Sequence, residues 1–246
     1  RDISYTIEKL EKAKRNIIVL GEDQKLYAEQ LALAMKILGY EFPKVVHYSF
    51  MLISNEGESK KMSTRRGDVV LLEDFLAEVV KKAKEEIAKR KTKGDAEKVG
   101  LSAVKYSILS HNSNKNILFN LSQALSFEGN TGPYLLYTYA RASSILRKAK
   151  GKNPGLVIEK VTPQETALIK KLELFPGIAK SVYNSLDPSL IAHYSFELSQ
   201  LFNEFYHSCK VIGDPCEAFR LNLVSAFRIV LKSSLSLLGI ETIERM

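Results

Sequence analysis

Near residue 72 the chain changes its hydrophobic rhythm, and the two rhythms demand different architectures. Before that point helix and strand alternate. Residues 4–14 read as a helix and Asn16-Ile17-Ile18-Val19-Leu20 as a short buried strand closed by Gly21. The next helix has an apolar face of Leu26, Leu31, Ala32, Ala34, Met35 and Leu38, with Asp23 placed to cap it and Gly39 to stop it. A strand-like run over 45–53 follows Pro43 and completes the order of a parallel βαβ unit.

From residue 72 the pattern is all-helical. Helices are expected over 73–90, 95–109, 119–126, 133–149, 162–185, 187–209 and 215–238. The breaks at Gly129-Asn130-Thr131-Gly132-Pro133, Gly151-Lys152-Asn153-Pro154-Gly155, Asp187-Pro188 and Gly213-Asp214-Pro215 each supply a helix stop or a first-turn proline. Leu156-Val157-Ile158 reads as a short extended crossing. The fold class expected is an α/β portion followed by an all-α helical bundle. A length of 246 residues suits two domains, drawn here as 1–117 and 118–246.

Between the strand-like run and the first long helix stands Lys61-Met62-Ser63-Thr64-Arg65-Arg66, followed by Gly67. A mobile ammonium, two hydroxyl residues and two guanidinium forks in one short loop can grip a polyphosphate, and backbone near a glycine approaches an anion closely. Composition alone would make this a solvated basic turn. Its place after a strand and before a helix, where open α/β sheets hold nucleotide phosphates, favours the phosphate site. The formal charge of +8 points the same way, to an anionic partner with nucleic acid the leading candidate.

Two cysteines, Cys209 and Cys216, are too few for a disulfide framework. With His207 they still lack the four-ligand pattern of structural zinc, so no metal site is expected. No apolar run reaches membrane-spanning length and nothing at the start resembles a signal peptide, so a soluble protein is expected.

The loop Lys61-Met62-Ser63-Thr64-Arg65 resembles the Lys-Met-Ser-Lys-Ser signature of class I aminoacyl-tRNA synthetases, and its continuation Arg66-Gly67-Asp68-Val69-Val70 resembles the arginyl-tRNA synthetase form. Two later segments are similar to the same family. One is Ala124-Leu125-Ser126-Phe127-Glu128-Gly129-Asn130-Thr131-Gly132-Pro133-Tyr134 with Tyr137, Ala140 and Arg141. The other is Phe202-Asn203-Glu204-Phe205-Tyr206, then Leu237-Leu238-Gly239-Ile240 and the close at Met246. The resemblance covers essentially the whole chain. It implies the end of a Rossmann-like class I catalytic domain followed by an all-helical anticodon-binding domain. The implied parent activity is arginine–tRNA ligation through an arginyl-adenylate, with ATP and magnesium as substrate and cofactor and no tightly bound group.

The resemblance also assigns roles. Lys61 and Arg65 would stabilise charge developing on pyrophosphate, while Ser63 shapes the loop and Met62 lies against the nucleotide with His47. Thr64-Arg65 replaces the signature's second Lys-Ser, so Lys61 and Arg65 share the cationic role. Asp2 would hold the substrate guanidinium bidentately, with Gln24 and Tyr27 completing arginine recognition. Without the family, Asp2 is a helix N-cap, Gln24 a first-turn polar residue and His47 a satisfied core histidine.

In the bundle, Tyr134, Tyr137 and Arg141 share a helix face, and aromatics beside a guanidinium can stack an unpaired base. One tyrosine is expected in the core and the other facing RNA. Tyr206 and Met246 are candidates for the same surface, and Phe202 and Phe205 are assigned to packing. Lys89, Arg90, Lys91, Lys93, Arg147, Lys148, Lys150 and Lys152 supply candidate phosphate contacts, only some of them touching RNA.

Arg1 stands where a methionine would, in what reads as the middle of a domain, so the chain is expected to be a fragment that is catalytically silent alone. A cytoplasmic monomer that binds arginine tRNA, with ATP and L-arginine as partners of the whole enzyme, is expected. The alternatives are a stand-alone tRNA- or RNA-binding module and a class I synthetase of different amino acid specificity.

Overall fold

A computed structural model describes residues 1–49, 51–54, 71–149 and 160–246. The loop at 61–67, Lys150, Lys152 and the expected crossing at 156–158 lie outside the described residues.

The chain opens on α1 (Asp2–Lys12), two residues earlier than its periodicity suggests. Asp2 therefore lies inside the first turn, and the cap position is Arg1, which makes no side-chain cap bond. β1 (Ile17–Gly21) and β2 (Lys44–Tyr48) pair in parallel with Ile18 opposite Val45 and Leu20 opposite His47. Between them α2 (Lys25–Ile37) makes the expected crossover. Asp23 does not cap it. Residues 22–24 form a 3₁₀ turn, and the Asp23 carboxylate instead accepts from the Gln24 side-chain amide at 3.2 Å.

The run at 45–53 is two strands rather than one. β2 ends at Tyr48, and β3 (Met51–Ser54) pairs in parallel with a distant strand, β4 (Ile117–Asn120). The Ser49 amide donates to the Ser113 carbonyl at 2.8 Å, which takes the chain from one sheet to the other. β4 also corrects the helix expected at 119–126. Ile117 and Phe119 are buried while Leu118 is exposed, a period of two. Asn120 then accepts from the Gln123 amide and starts only a single turn, α5 (Leu121–Ala124).

The helical portion begins with α3 (Leu72–Lys89) and α4 (Ala96–Leu109), the latter capped by Asp95 through the amides of Glu97 and Lys98. α6 (Gly132–Lys148) starts at the cap Thr131 with Pro133 in its first turn. Its first residue has to be glycine, because a Cβ on Gly132 would stand 2.3 Å from the Ser102 carbonyl oxygen of α4. The helix expected at 162–185 is two, α7 (Pro163–Glu173) and α8 (Phe175–Ser185). Pro176 offers no amide to continue the ladder. α9 (Ser189–Ser208) and α10 (Glu217–Leu237) complete the bundle.

One core runs from Phe75 on α3 to Ile243 beyond α10. At its centre Phe202 of α9 stacks on Phe227 of α10, centroids 3.9 Å apart and planes within 9°. Phe202 and Phe205 are fully buried, as expected of packing residues. Cys209 and Cys216 are buried free thiols at the end of α9 and the start of α10. Among the described residues no helix is long and apolar enough to cross a membrane.

The bundle also buries an ion pair. Arg220 donates to Glu165 at 2.6 Å and to the Lys210 carbonyl at 2.7 Å, and pairs with Asp214 at 2.9 Å. Glu165 meanwhile closes a capping box with Thr162. Burial alone would raise the Glu165 carboxyl, but hydrogen bonds from Thr162 and Arg220 outweigh it and hold the group below its ordinary value. Glu165→Gln removes one of the two carboxylates paired with Arg220, leaving Asp214, and should cost about 2 kcal/mol at neutral pH by urea denaturation. Because the folded pKa is depressed, the Glu165 contribution is present above the unfolded carboxylate pKa and is lost as pH falls through the lower folded value. The Gln variant should therefore show a shallower acid-side loss of stability than the unsubstituted chain.

Candidate nucleic-acid interface

Fixing the start of α6 at Gly132 fixes the direction of every later side chain on it. Tyr137 and Arg141, four apart, come out on one side and meet α9. The Arg141 guanidinium lies 4.8 Å from the Tyr137 ring centre and 4.9 Å from that of Tyr206, so it sits between two aromatic faces. It donates to the Asn203 side-chain oxygen. The other end of that amide donates to the Tyr134 hydroxyl at 2.8 Å and Thr138 at 3.4 Å. One amide thus ties α6 to α9 and sets the guanidinium plane.

The division of labour between the two tyrosines differs from the expectation, because both are half-buried. Tyr134 leans on Phe196 at 5.6 Å with its hydroxyl on Asn203, whereas Tyr137 meets Phe127 edge-on. Tyr137, Arg141, Tyr206 and Met246 line one cavity of about 810 Å³, and Tyr134 stands in an adjoining hollow with Asn203.

The cavity wall is cationic. Lys91 and Lys93 enter from the α3–α4 turn, Arg147 and Lys148 from the end of α6, Lys210 from beyond α9, and Arg245 from the close of the chain. With Arg141 these make seven lysines and arginines, and no Asp or Glu side chain lines the wall among the described residues. The turn that delivers Lys91 holds it in the left-handed conformation, φ 53°, with its amide bonded back to Ala88 and that of Thr92 to Ile87. A concave, one-signed field with exposed aromatic rings suits a polyanion that carries flat groups.

Other candidate cations go elsewhere. Lys89 pairs with Glu86 at 2.6 Å, and Arg90 covers the Phe127 ring at 4.8 Å. Asn203, Lys210 and Arg245 were not anticipated as site residues. Asn203 lies inside the Phe202-to-Tyr206 segment and Arg245 inside the close from Glu241 to Met246, both of which carry the resemblance, but nothing local marks Lys210.

At the other end of the chain, the Tyr27 hydroxyl donates to an Asp2 carboxylate oxygen and joins α2 to α1. That hydrogen bond raises the Tyr27 hydroxyl above its ordinary pKa. Gln24 is exposed, its side-chain amide on Asp23. His47 on β2 is half-buried, and its Nδ1 is buried without a hydrogen-bond partner among the described residues. Lys61, Met62, Ser63 and Arg65 lie outside the described residues.

Residues 1–121 match the family model of the class I tRNA synthetases (R), catalytic domain, and residues 135–246 match that of the DALR anticodon binding domain. The arginine–tRNA ligase of Methanocella arvoryzae is 41% identical over the whole of this chain and that of Methanocaldococcus jannaschii 38%. The chain belongs to the arginyl-tRNA synthetase family. The Thermus thermophilus arginyl-tRNA synthetase superposes with a TM-score of 0.84 over 96% of the chain at 28% identity, and the Plasmodium falciparum enzyme with 0.75 over 94% at 26%. The fold is accordingly a class I catalytic portion joined to a DALR all-helical domain. The chain spans about 45% of the length of the curated synthetases it matches and about 42% of the Thermus chain. Within this arginyl-tRNA synthetase frame, the cavity draws on both matched regions, since Lys91 and Lys93 belong to the first and the remaining cations to the second.

Asn203→Ala leaves the half-buried Arg141 and Tyr134 without their shared partner. It should destabilise the chain by about 2 kcal/mol in urea denaturation.

Proposed function

We propose that this chain works as part of an arginine–tRNA ligase and that the cationic cavity receives the anticodon loop of an arginine tRNA. The observation that carries the reading is Arg141 held by Asn203 between Tyr137 and Tyr206, within a wall of lysines and arginines. A planar cation between two rings, with an aromatic face left to the cavity, can stack a splayed base and reach its edge. The surrounding ammonium and guanidinium groups meet backbone phosphates, which add affinity without sequence.

The catalytic part of the proposal follows the family. In the complete ligase the arginine carboxylate attacks the α-phosphate of ATP, releasing pyrophosphate, and the activated arginyl group then passes to a ribose hydroxyl of the tRNA with release of AMP. Asp2, steadied by the Tyr27 hydroxyl, is proposed to grip the substrate guanidinium, with Gln24 beside it. Lys61 and Arg65 are proposed to stabilise the phosphate charge, with Ser63 shaping their loop and Met62 and His47 lying against the nucleotide. The unpaired His47 Nδ1 supports a polar ligand on that strand. Among the described residues no three His, Cys, Asp or Glu side chains gather to hold a metal. Magnesium is proposed to arrive on the ATP phosphates, as this hard cation usually does. The division at 117/118, a monomeric state and a cytoplasmic location belong to the same proposal.

Alone, the 246-residue chain is proposed to bind without catalysing, and arginine-dependent ATP–pyrophosphate exchange by the purified chain should stay at background. A measurable exchange rate would contradict that. The binding half is tested with an arginine tRNA transcript and one altered at the central anticodon base, each at two salt concentrations. The expected result is at least tenfold weaker binding of the altered transcript. Arg141→Lys, which keeps the charge and loses the planar fork, should erase most of that preference. Lys91→Ala with Lys93→Ala should weaken both transcripts alike and flatten the salt dependence by about 1.4 units of slope, about 0.7 for each lysine. Equal, strongly salt-dependent binding of both transcripts by the unsubstituted chain would leave only a basic surface without base-specific reading.

A further inference from the structure

The last eight residues form no helix or strand, yet they are held at nearly every step. Gly239 takes the left-handed conformation, φ 65°, just beyond α10, and its carbonyl accepts from the Lys105 ammonium of α4. Ile240 and Ile243 are buried in the main core. Glu241 pairs with Lys98 at 2.9 Å. Such a segment could be ordered only as a lid over apolar surface, and for residues 239–243 that account is sufficient.

Glu244 needs a different account. It is exposed, so burial does not explain its place, yet three residues on two helices reach it. The Tyr139 hydroxyl of α6 donates to Oε1 at 2.8 Å. Arg228 of α10 approaches Oε2 at 3.5 Å. Arg147, from the last turn of α6, donates to the Glu244 backbone carbonyl at 2.7 Å. The side chain and the main chain of one residue are thus held from two helices. Immediately after it come Arg245 and Met246, and both line the cationic cavity. Met246 also lies over the α3–α4 turn, where a Cβ placed on Gly94 would stand 3.7 Å from its methyl group.

Arg245 and Met246 belong to no helix or strand and would otherwise sample many conformations at an entropic cost on binding. We propose that Glu244 is a positioning residue for RNA binding, an anchor that sets Arg245 and Met246 against the cavity wall before the RNA arrives. The anchor touches no RNA itself and acts through the two residues that follow it. Its three partners also make the chain end report on the packing of α6 against α10, since displacing either helix opens the clamp. This inference rests on the cavity being the RNA site.

The test is a double-mutant cycle on the full chain, read as the dissociation constant of an arginine tRNA transcript and of its central-base variant. Glu244→Gln keeps shape and removes the charge that Tyr139 and Arg228 address. It should weaken the cognate transcript about tenfold, in line with the loss of a charge-assisted hydrogen bond, and reduce the preference over the altered transcript. Tyr139→Phe, which deletes only the donor hydroxyl, should act in the same direction by about threefold. Deleting Arg245 and Met246 should weaken binding at least as much as Glu244→Gln. In that shortened chain Glu244→Gln should have no further effect, whereas a merely structural role would persist there. Melting temperature followed in parallel should stay within a few degrees for Glu244→Gln. A tenfold loss that survives in the shortened chain, or an unchanged dissociation constant for Glu244→Gln where the deletion weakens binding, would overturn the anchor and leave the RNA site standing. Failure of the unsubstituted chain to bind either transcript would overturn the site and the anchor together.

Discussion

The stack of Phe202 on Phe227 is the contact on which the rest of the bundle turns. It fixes the rotation of α9 against α10, and a helix so fixed has no freedom left on its other faces. Asn203 and Tyr206, the next residues round the helix, are thereby delivered to α6, where they meet Tyr134, Thr138 and Arg141. A core contact with no polar atom therefore sets the geometry of a polar site. The approach of α6 to α4, possible only with hydrogen in place of a Cβ at Gly132, fixes the partner helix in the same way.

Charge is distributed with equal economy. Where carboxylates and cations are buried together, at Glu165 with Arg220 and Asp214, they join loop ends and helix starts through hydrogen bonds that satisfy both partners. On the cavity wall the cations face open space with no acidic side chain lining it among the described residues. The net charge of +8 is thus less informative than its placement. Like charges gathered on a concave surface repel one another unless a polyanion arrives, and that repulsion favours binding over the empty state.

Much of the order of elements was legible from one sequence, because buried faces repeat at the period of the element that buries them. The helices α3, α4, α6, α9 and α10 all carry that signature, whereas β1, read as a buried strand, leaves Ile17 and Val19 exposed, and Leu26 and Leu38 of the expected apolar face of α2 are exposed too. The errors have physical causes. The run at 45–53 is apolar but for His47 and Ser49 and holds no glycine or proline, so nothing in it announces that Met51–Ser54 pairs with a strand 66 residues away. Ile117 to Asn120 is too short for its alternation to compete with the helical residues that follow, and the break before α8 depends on Pro176 within an otherwise continuous helical pattern.

For the site, sequence by itself determined which residue types share a helix face: Tyr134, Tyr137 and Arg141 are three and four apart whatever the tertiary structure. It also determined the family resemblance of the three motif segments. Only the tertiary structure decided that Arg141 lies between Tyr137 and Tyr206, that Asn203 holds it there, and that Lys91, Lys210 and Arg245 share its cavity. Local spacing is set by the geometry of one helix, which four residues of sequence suffice to specify. The gathering of a turn, two helix ends and the segment after α10 around one cavity is set by contacts between residues far apart in sequence, such as Tyr139 and Glu244, 105 positions apart.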